Sequence, residues 1–197
     1  MTRRSSFTAL ILFSGLYLSL GAIYFIRHLN FEFIAYVLVL IGIFSAVLWI
    51  HKRARFPLWL LWLLSFWGLA HVLGGSVPTP DGVLFAYRIY PFLDLGGEFY
   101  ILKYDQVVHA YLYGVVAVMA YHLIRSKLLP RGQSALVFLF AVMASLGISG
   151  LNEIMEFFIS LTVKNGVGGY YNTMLDMCFN LAGAVLATWA YVRLKRE

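Results

Sequence analysis

The sequence predicts an all-α protein: a polytopic membrane helix bundle of about six transmembrane helices, both termini cytoplasmic, forming a single integral membrane domain over residues 1–197. Three observations predict it. Apolar runs of spanning length recur six times along the chain. Charged residues make up 12% of the chain, against roughly 25% in an average soluble domain. Lys and Arg concentrate in every second connection, and so on one side of the membrane.

The expected spans are 7–26, 33–50, 57–74, 105–124, 134–163 and 171–192. Runs of this length must be helices, because hydrocarbon offers no partner to an open backbone group. The fifth run is the longest, so it must tilt or project from the bilayer. Arg3-Arg4 before the first run faintly resembles a twin-arginine signal. The run is too long for a typical signal core and no Ala-x-Ala site follows, so a retained anchor is expected.

Orientation follows from the basic residues. The N-terminus holds Arg3 and Arg4, and the second connection Lys52, Arg53 and Arg55. The fourth connection holds Arg125, Lys127 and Arg131, and the C-terminus Arg193, Lys195 and Arg196. These are eleven of the fifteen Lys and Arg; the other side holds Arg27, Arg88, Lys103 and Lys164. The positive-inside rule then places both termini in the cytoplasm of a bacterial-type inner membrane. The net charge of +6 is therefore a topology signal and a source of lipid-headgroup contacts, with no nucleic-acid footprint. A single cysteine, Cys178, excludes an internal disulfide and is expected as a small buried core residue. The one long connection, residues 75–104, is an expected outer loop. Its stretch 83–93 mixes aromatics with Arg88 and suits the headgroup plane, with Arg88 a candidate substrate-binding residue.

Ionisable residues inside spans are costly and mark function. His71 ends the third run. Asp105 and His109 open the fourth, four residues apart. Asn152, Glu153 and Glu156 lie late in the fifth. Asn172, Asp176 and Asn180 open the sixth at intervals of four. Spacings of three and four put residues on one helical face. With alternating helix directions, His71, His109, Glu156 and Asp176 fall within about 10 Å of the outer ends of their helices. In the inner leaflet His122 stands nearly alone; His28, His51 and His122 are read as interfacial.

Carboxylates gathered in a partly dry layer need a compensating proton or cation. Carboxylates and histidines projecting from packed helices are the ligand set of bundle metal sites. His71, Asp105, His109, Glu156 and Asp176 are the candidate ligands, and the mixed O/N donors suit Zn, Mn, Fe or Mg. Glu153 and Glu156 are the candidate catalytic carboxylates, one of them a general base. Asn152, Asn172 and Asn180 are supporting polar groups. Plainer readings stand beside these: asparagines as interhelical glue, Asp105 as a helix cap, His71 as a packing residue. The small-residue run Ala144, Ser145, Gly147, Ser149, Gly150 is expected to let the fifth helix approach a neighbour closely.

The stretches Ala70-His71-Val72-Leu73-Gly74-Gly75, Tyr104-Asp105-Gln106-Val107-Val108-His109, Asn152-Glu153-Ile154-Met155-Glu156-Phe157 and Tyr171-Asn172-Thr173-Met174-Leu175-Asp176-Met177 resemble the YjdF-like bacterial inner-membrane proteins. More distantly they resemble VanZ-like membrane proteins. The resemblance covers roughly residues 71–184. It implies a six-helix inner-membrane protein with polar residues at these positions, and the VanZ-like side implies a link to the cell envelope. It supplies no activity. Asn172 and Gly169 stand where that pattern is expected to carry Asp, which argues against a full two-metal site. Three functional readings remain open: a metal-dependent hydrolase or transferase on a lipid or lipid-linked substrate, a proton- or ion-coupled transporter, and a non-catalytic scaffold or sensor.

Overall fold

A computed structural model describes residues 3–80, 82–97, 99–127, 134–162 and 169–195. Arg131, Val163, Lys164 and Arg196 lie outside the described residues. Six helices account for the expected spans: α1 (Arg3–Arg27), α2 (Phe31–Ala54), α3 (Leu58–Ser76), α4 (Tyr104–Lys127), α5 (Ser134–Thr162) and α6 (Tyr170–Leu194). Each is long and apolar enough to cross a membrane. At 29 residues α5 is the longest, about 43 Å from end to end against a hydrocarbon core of about 30 Å.

Local chemistry sets the ends. The Asn30 side chain accepts from the Phe33 N–H and starts α2. At the other end of α2, Arg55 adopts a left-handed conformation (φ 53°) and its N–H returns to the His51 carbonyl. Pro57 then opens α3, with its φ already suited to a helix start.

Residues 75–104 depart from the expected loop. Two short antiparallel hairpins occupy most of it: β1 (Pro78–Thr79) with β2 (Gly82–Val83), and β3 (Arg88–Gly96) with β4 (Phe99–Lys103). The reason is local. Ile89, Tyr90, Phe92 and then Phe99, Tyr100, Ile101 favour strands, and Gly96 and Gly97 supply the positive φ that the reversal needs. Asp94 accepts from the Gly96 N–H and tightens this turn. Gln106 joins the hairpin to α4. Its side-chain oxygen accepts from the N–H groups of Leu102 and Lys103, and its amide donates to the Tyr100 carbonyl. That bracket holds Leu102 at φ 84°, a conformation that a leucine rarely adopts.

The chain parts into two compact units, Met1–Tyr87 and Arg88–Glu197. In the first, aromatic rings fill the space between helices. Phe13 of α1 meets Trp62 and Phe66 of α3, and Phe25 of α1 stacks on Phe33 of α2. One hydroxyl pair, Ser14 with Ser65 at 2.7 Å, ties α1 to α3.

In the second unit α4 and α6 run parallel at close range. His109 meets Asn180, Ala110 meets Gly183, Gly114 meets Ala187 and Tyr121 meets Tyr191, successively along both helices. Small residues four apart on both helices, Ala110 with Gly114 and Gly183 with Ala187, allow that approach. Helix α5 runs antiparallel to α4. Its Ser145 donates to the Tyr113 carbonyl, and its Val142 and Val137 pack beside Ala117 and Tyr121.

Two expectations need correction. Helix α5 does approach α4 closely through its small-residue run, where Ser145 reaches the Tyr113 carbonyl, but the glycines take no part: a Cβ beside Gly147 or Gly150 would meet nothing within 4 Å. On α5 it is the serines of that run, Ser145 and Ser149, that are buried. Cys178 is exposed rather than buried. The buried face of α6 repeats every four residues through Asp176, Asn180, Ala184 and Thr188, and position 178 lies on the opposite side.

Candidate functional site

The parallel pairing of α4 and α6 decides the site. It brings the starts of both helices together, and antiparallel α5 delivers its final third to the same end of the unit. Asp105 and His109 come from α4, Glu153 and Glu156 from α5, and Asp176 from α6. Asp105, His109 and Asp176 each offer a ligand atom within 4.8 Å of the other two. Asp176 is 1% exposed and His109 9%.

A hydrogen-bond chain orients the imidazole. Asn180 donates from its amide nitrogen to the Ser149 hydroxyl at 2.6 Å, and Ser149 donates to the Met177 sulfur. The Asn180 oxygen is thereby left to accept from His109 Nδ1 at 3.2 Å. This arrangement puts the ring proton on Nδ1 and leaves Nε2, 3.7 Å from Asp105 Oδ1, with a free lone pair for a cation. Glu153 Oε1 lies 3.8 Å from Nδ1, too far for a hydrogen bond.

The carboxylates are held unequally. Asn172 donates to Asp176 Oδ2 at 2.8 Å and accepts from the Lys103 ammonium at 3.4 Å, so a basic group reaches the acid through an amide. Asn152 donates to Glu156 Oε1 at 2.7 Å. Asp176 Oδ1 and Glu153 Oε1 are buried with no hydrogen-bond partner. A buried carboxylate oxygen without a partner costs free energy unless a cation or a proton meets it.

Of the five candidate ligands, the structure groups Asp105, His109 and Asp176. Glu156 is bound to Asn152 on its own helix. His71 belongs to the first unit, where its ring sits among those of Tyr36, Trp67 and Phe85 at 5.0–5.7 Å. Asn172 and Asn180 each hold a member of this group, and Asn152 holds Glu156. Arg88 lies over the Tyr100 ring at 4.9 Å and pairs with Asp94 at 3.7 Å. Sequence reasoning misses Gln106, Lys103 and Met177. Gln106 sits beside Asp105 in the motif, but nothing in its neighbours announces a residue bracketing a strand end. Ser149 reads in the sequence only as a small residue, and its partner Asn180 lies 31 positions away.

Fold and site together define a multi-pass integral membrane protein with a buried carboxylate–histidine cluster shared by three helices. The chain belongs to the DUF2238 family of predicted membrane proteins, whose pattern matches residues 8–197. No curated protein and no solved structure matches it.

Proposed function

We propose that this protein is a metal-dependent membrane hydrolase or transferase acting on a lipid or lipid-linked envelope molecule, with a divalent cation held by Asp105, His109 and Asp176. One observation carries the reading: three ligand atoms converge within 4.8 Å, and the buried Oδ1 of Asp176 has no hydrogen-bond partner. The donor set fits Zn, Mn, Fe or Mg. A cation bound there would act as a Lewis acid on a carbonyl or phosphoryl oxygen, or lower the pKa of a bound water.

The chain's own groups take definite parts. Asn180 fixes the His109 tautomer, and Asn172 orients Asp176. Glu153 Oε1, buried and without a hydrogen bond, is the group placed to accept a proton. Lys103 and Arg88, on the hairpin that leads into α4, supply positive charge to an anionic substrate. The likeness to YjdF-like and VanZ-like proteins, and the alternation of basic residues, support a bacterial inner membrane, cytoplasmic termini and a site toward the envelope side.

Elemental analysis of the detergent-purified protein tests the reading. About one divalent metal per chain is expected, and Asp176→Asn should lose it while remaining folded. Metal-free protein that is well folded would sink the proposal. A second reading, a proton or ion relay, draws on His109 standing 3.7 Å from Asp105 and 3.8 Å from Glu153. It requires proton or ion flux in liposomes that His109→Gln abolishes.

A further inference from the structure

The opposite end of the second unit carries a site of different chemistry. A cleft of about 340 Å³ opens between the end of α4, the start of α5 and the end of α6. Arg125, Lys195, His122, Ser126 and Ser134 are among its lining residues, and the Ser126 hydroxyl donates to the Leu123 carbonyl of its own helix. Among the described residues, no carboxylate lines it. Every acid among the described residues of these three helices lies at the other end, and His109 is sixteen residues from Arg125, about 24 Å along α4.

The walls are organised rather than loose. Tyr121 and Tyr191 meet edge to face at 5.8 Å. Lys195 lies over the Tyr191 ring at 5.1 Å, so an aromatic face holds this ammonium at the cleft. Ser134 begins α5, whose first-turn N–H groups add positive potential at the same place. The cleft sits where three membrane helices end, at the level of lipid headgroups, and tyrosines favour that level.

We infer that this cleft is a binding site for the phosphate of an anionic phospholipid headgroup. Two cations, an imidazole and the Ser134 hydroxyl match a phosphodiester in charge and in hydrogen-bonding capacity. The volume is within the range of small-molecule sites. Basic pockets between membrane helices are a recognised way of retaining such lipids. The inference is independent of the metal reading, because it uses none of the same residues.

Native mass spectrometry of the full-length protein in neutral detergent provides the test. Phosphatidylglycerol and phosphatidylcholine of identical acyl chains are titrated separately, and inorganic phosphate is a third arm. Phosphatidylglycerol should be retained at least roughly tenfold better than phosphatidylcholine, and less well as salt rises. The double variant Arg125→Gln/Lys195→Gln should bring retention down to the phosphatidylcholine level. Lys52→Gln/Arg53→Gln, in the first unit, should leave it unchanged. Equal retention of the two lipids, or an unaffected double variant, overturns the site. Phosphate binding without phosphatidylglycerol retention overturns the lipid assignment. Should the double variant fold poorly, the lipid preference and its salt dependence in the unsubstituted protein decide alone.

Discussion

The two units bury glycine against different things. In the first, a Cβ added at Gly75 would meet the ring of Phe33, one at Gly74 the ring of Phe85, and one at Gly68 the side chains of Tyr17 and Phe44. Glycine there makes room for aromatic side chains. In the second, a Cβ at Gly183 would run into the backbone of Ala110, and one at Gly114 into Ala187 and the Gly183 carbonyl. Glycine there lets two backbones touch. Rings can turn and shift, whereas a helix backbone moves only as a whole. Lipid also offers helices no hydrophobic drive to associate, so close packing and interhelical hydrogen bonds must hold the unit. The polar cluster lies in the second unit, where its geometry depends on that backbone contact.

Substitutions can break this contrast. The largest effect is expected from Gly183→Val, which forces α4 and α6 apart. It should cost about 3 kcal/mol or more, read as a large fall in thermal midpoint in detergent, together with loss of the proposed metal. An unchanged midpoint would show that backbone contact does not hold the unit. Next comes Asn180→Leu, which frees the His109 ring. Affinity for the proposed metal should fall roughly 10- to 100-fold, measured by competition with a chelator, while the helices remain packed. Gly75→Ala in the first unit follows. The Phe33 ring must move, at a cost of about 1–2 kcal/mol, with metal content unaltered. Ser145→Ala removes the bond to the Tyr113 carbonyl and should cost about 0.6 kcal/mol. Smallest is Gly147→Ala, beside open space: stability should stay level or rise by up to about 1 kcal/mol. A marked loss at Gly147 would mean that its face of α5 is covered.

Much of the fold is legible in the sequence because hydropathy acts locally. Each span declares itself by its own composition, and the long α5 is visible as the longest apolar run. The site is legible in part for the same reason. Asp105 with His109, Asn152 with Glu156 and Asn172 with Asp176 are pairs four residues apart, and helical geometry alone puts each pair on one face. The hairpins escape because a proline-rich aromatic stretch suits a headgroup-plane segment as well as a strand. Cys178 escapes because general burial statistics say nothing of the four-residue period of α6 around it.

By itself, the sequence determined six helices that demand a lipid solvent, and the carboxylates and histidines that such a solvent makes expensive. Tertiary structure alone decided which of them meet. His109 and Asn180 are 71 residues apart, and only the parallel crossing at Ala110 and Gly183 sets them side by side. Hydropathy reports a residue's preference for its solvent and is nearly blind to its partner, so the identity of a neighbouring helix is written in packing, which exists only once the chain has folded.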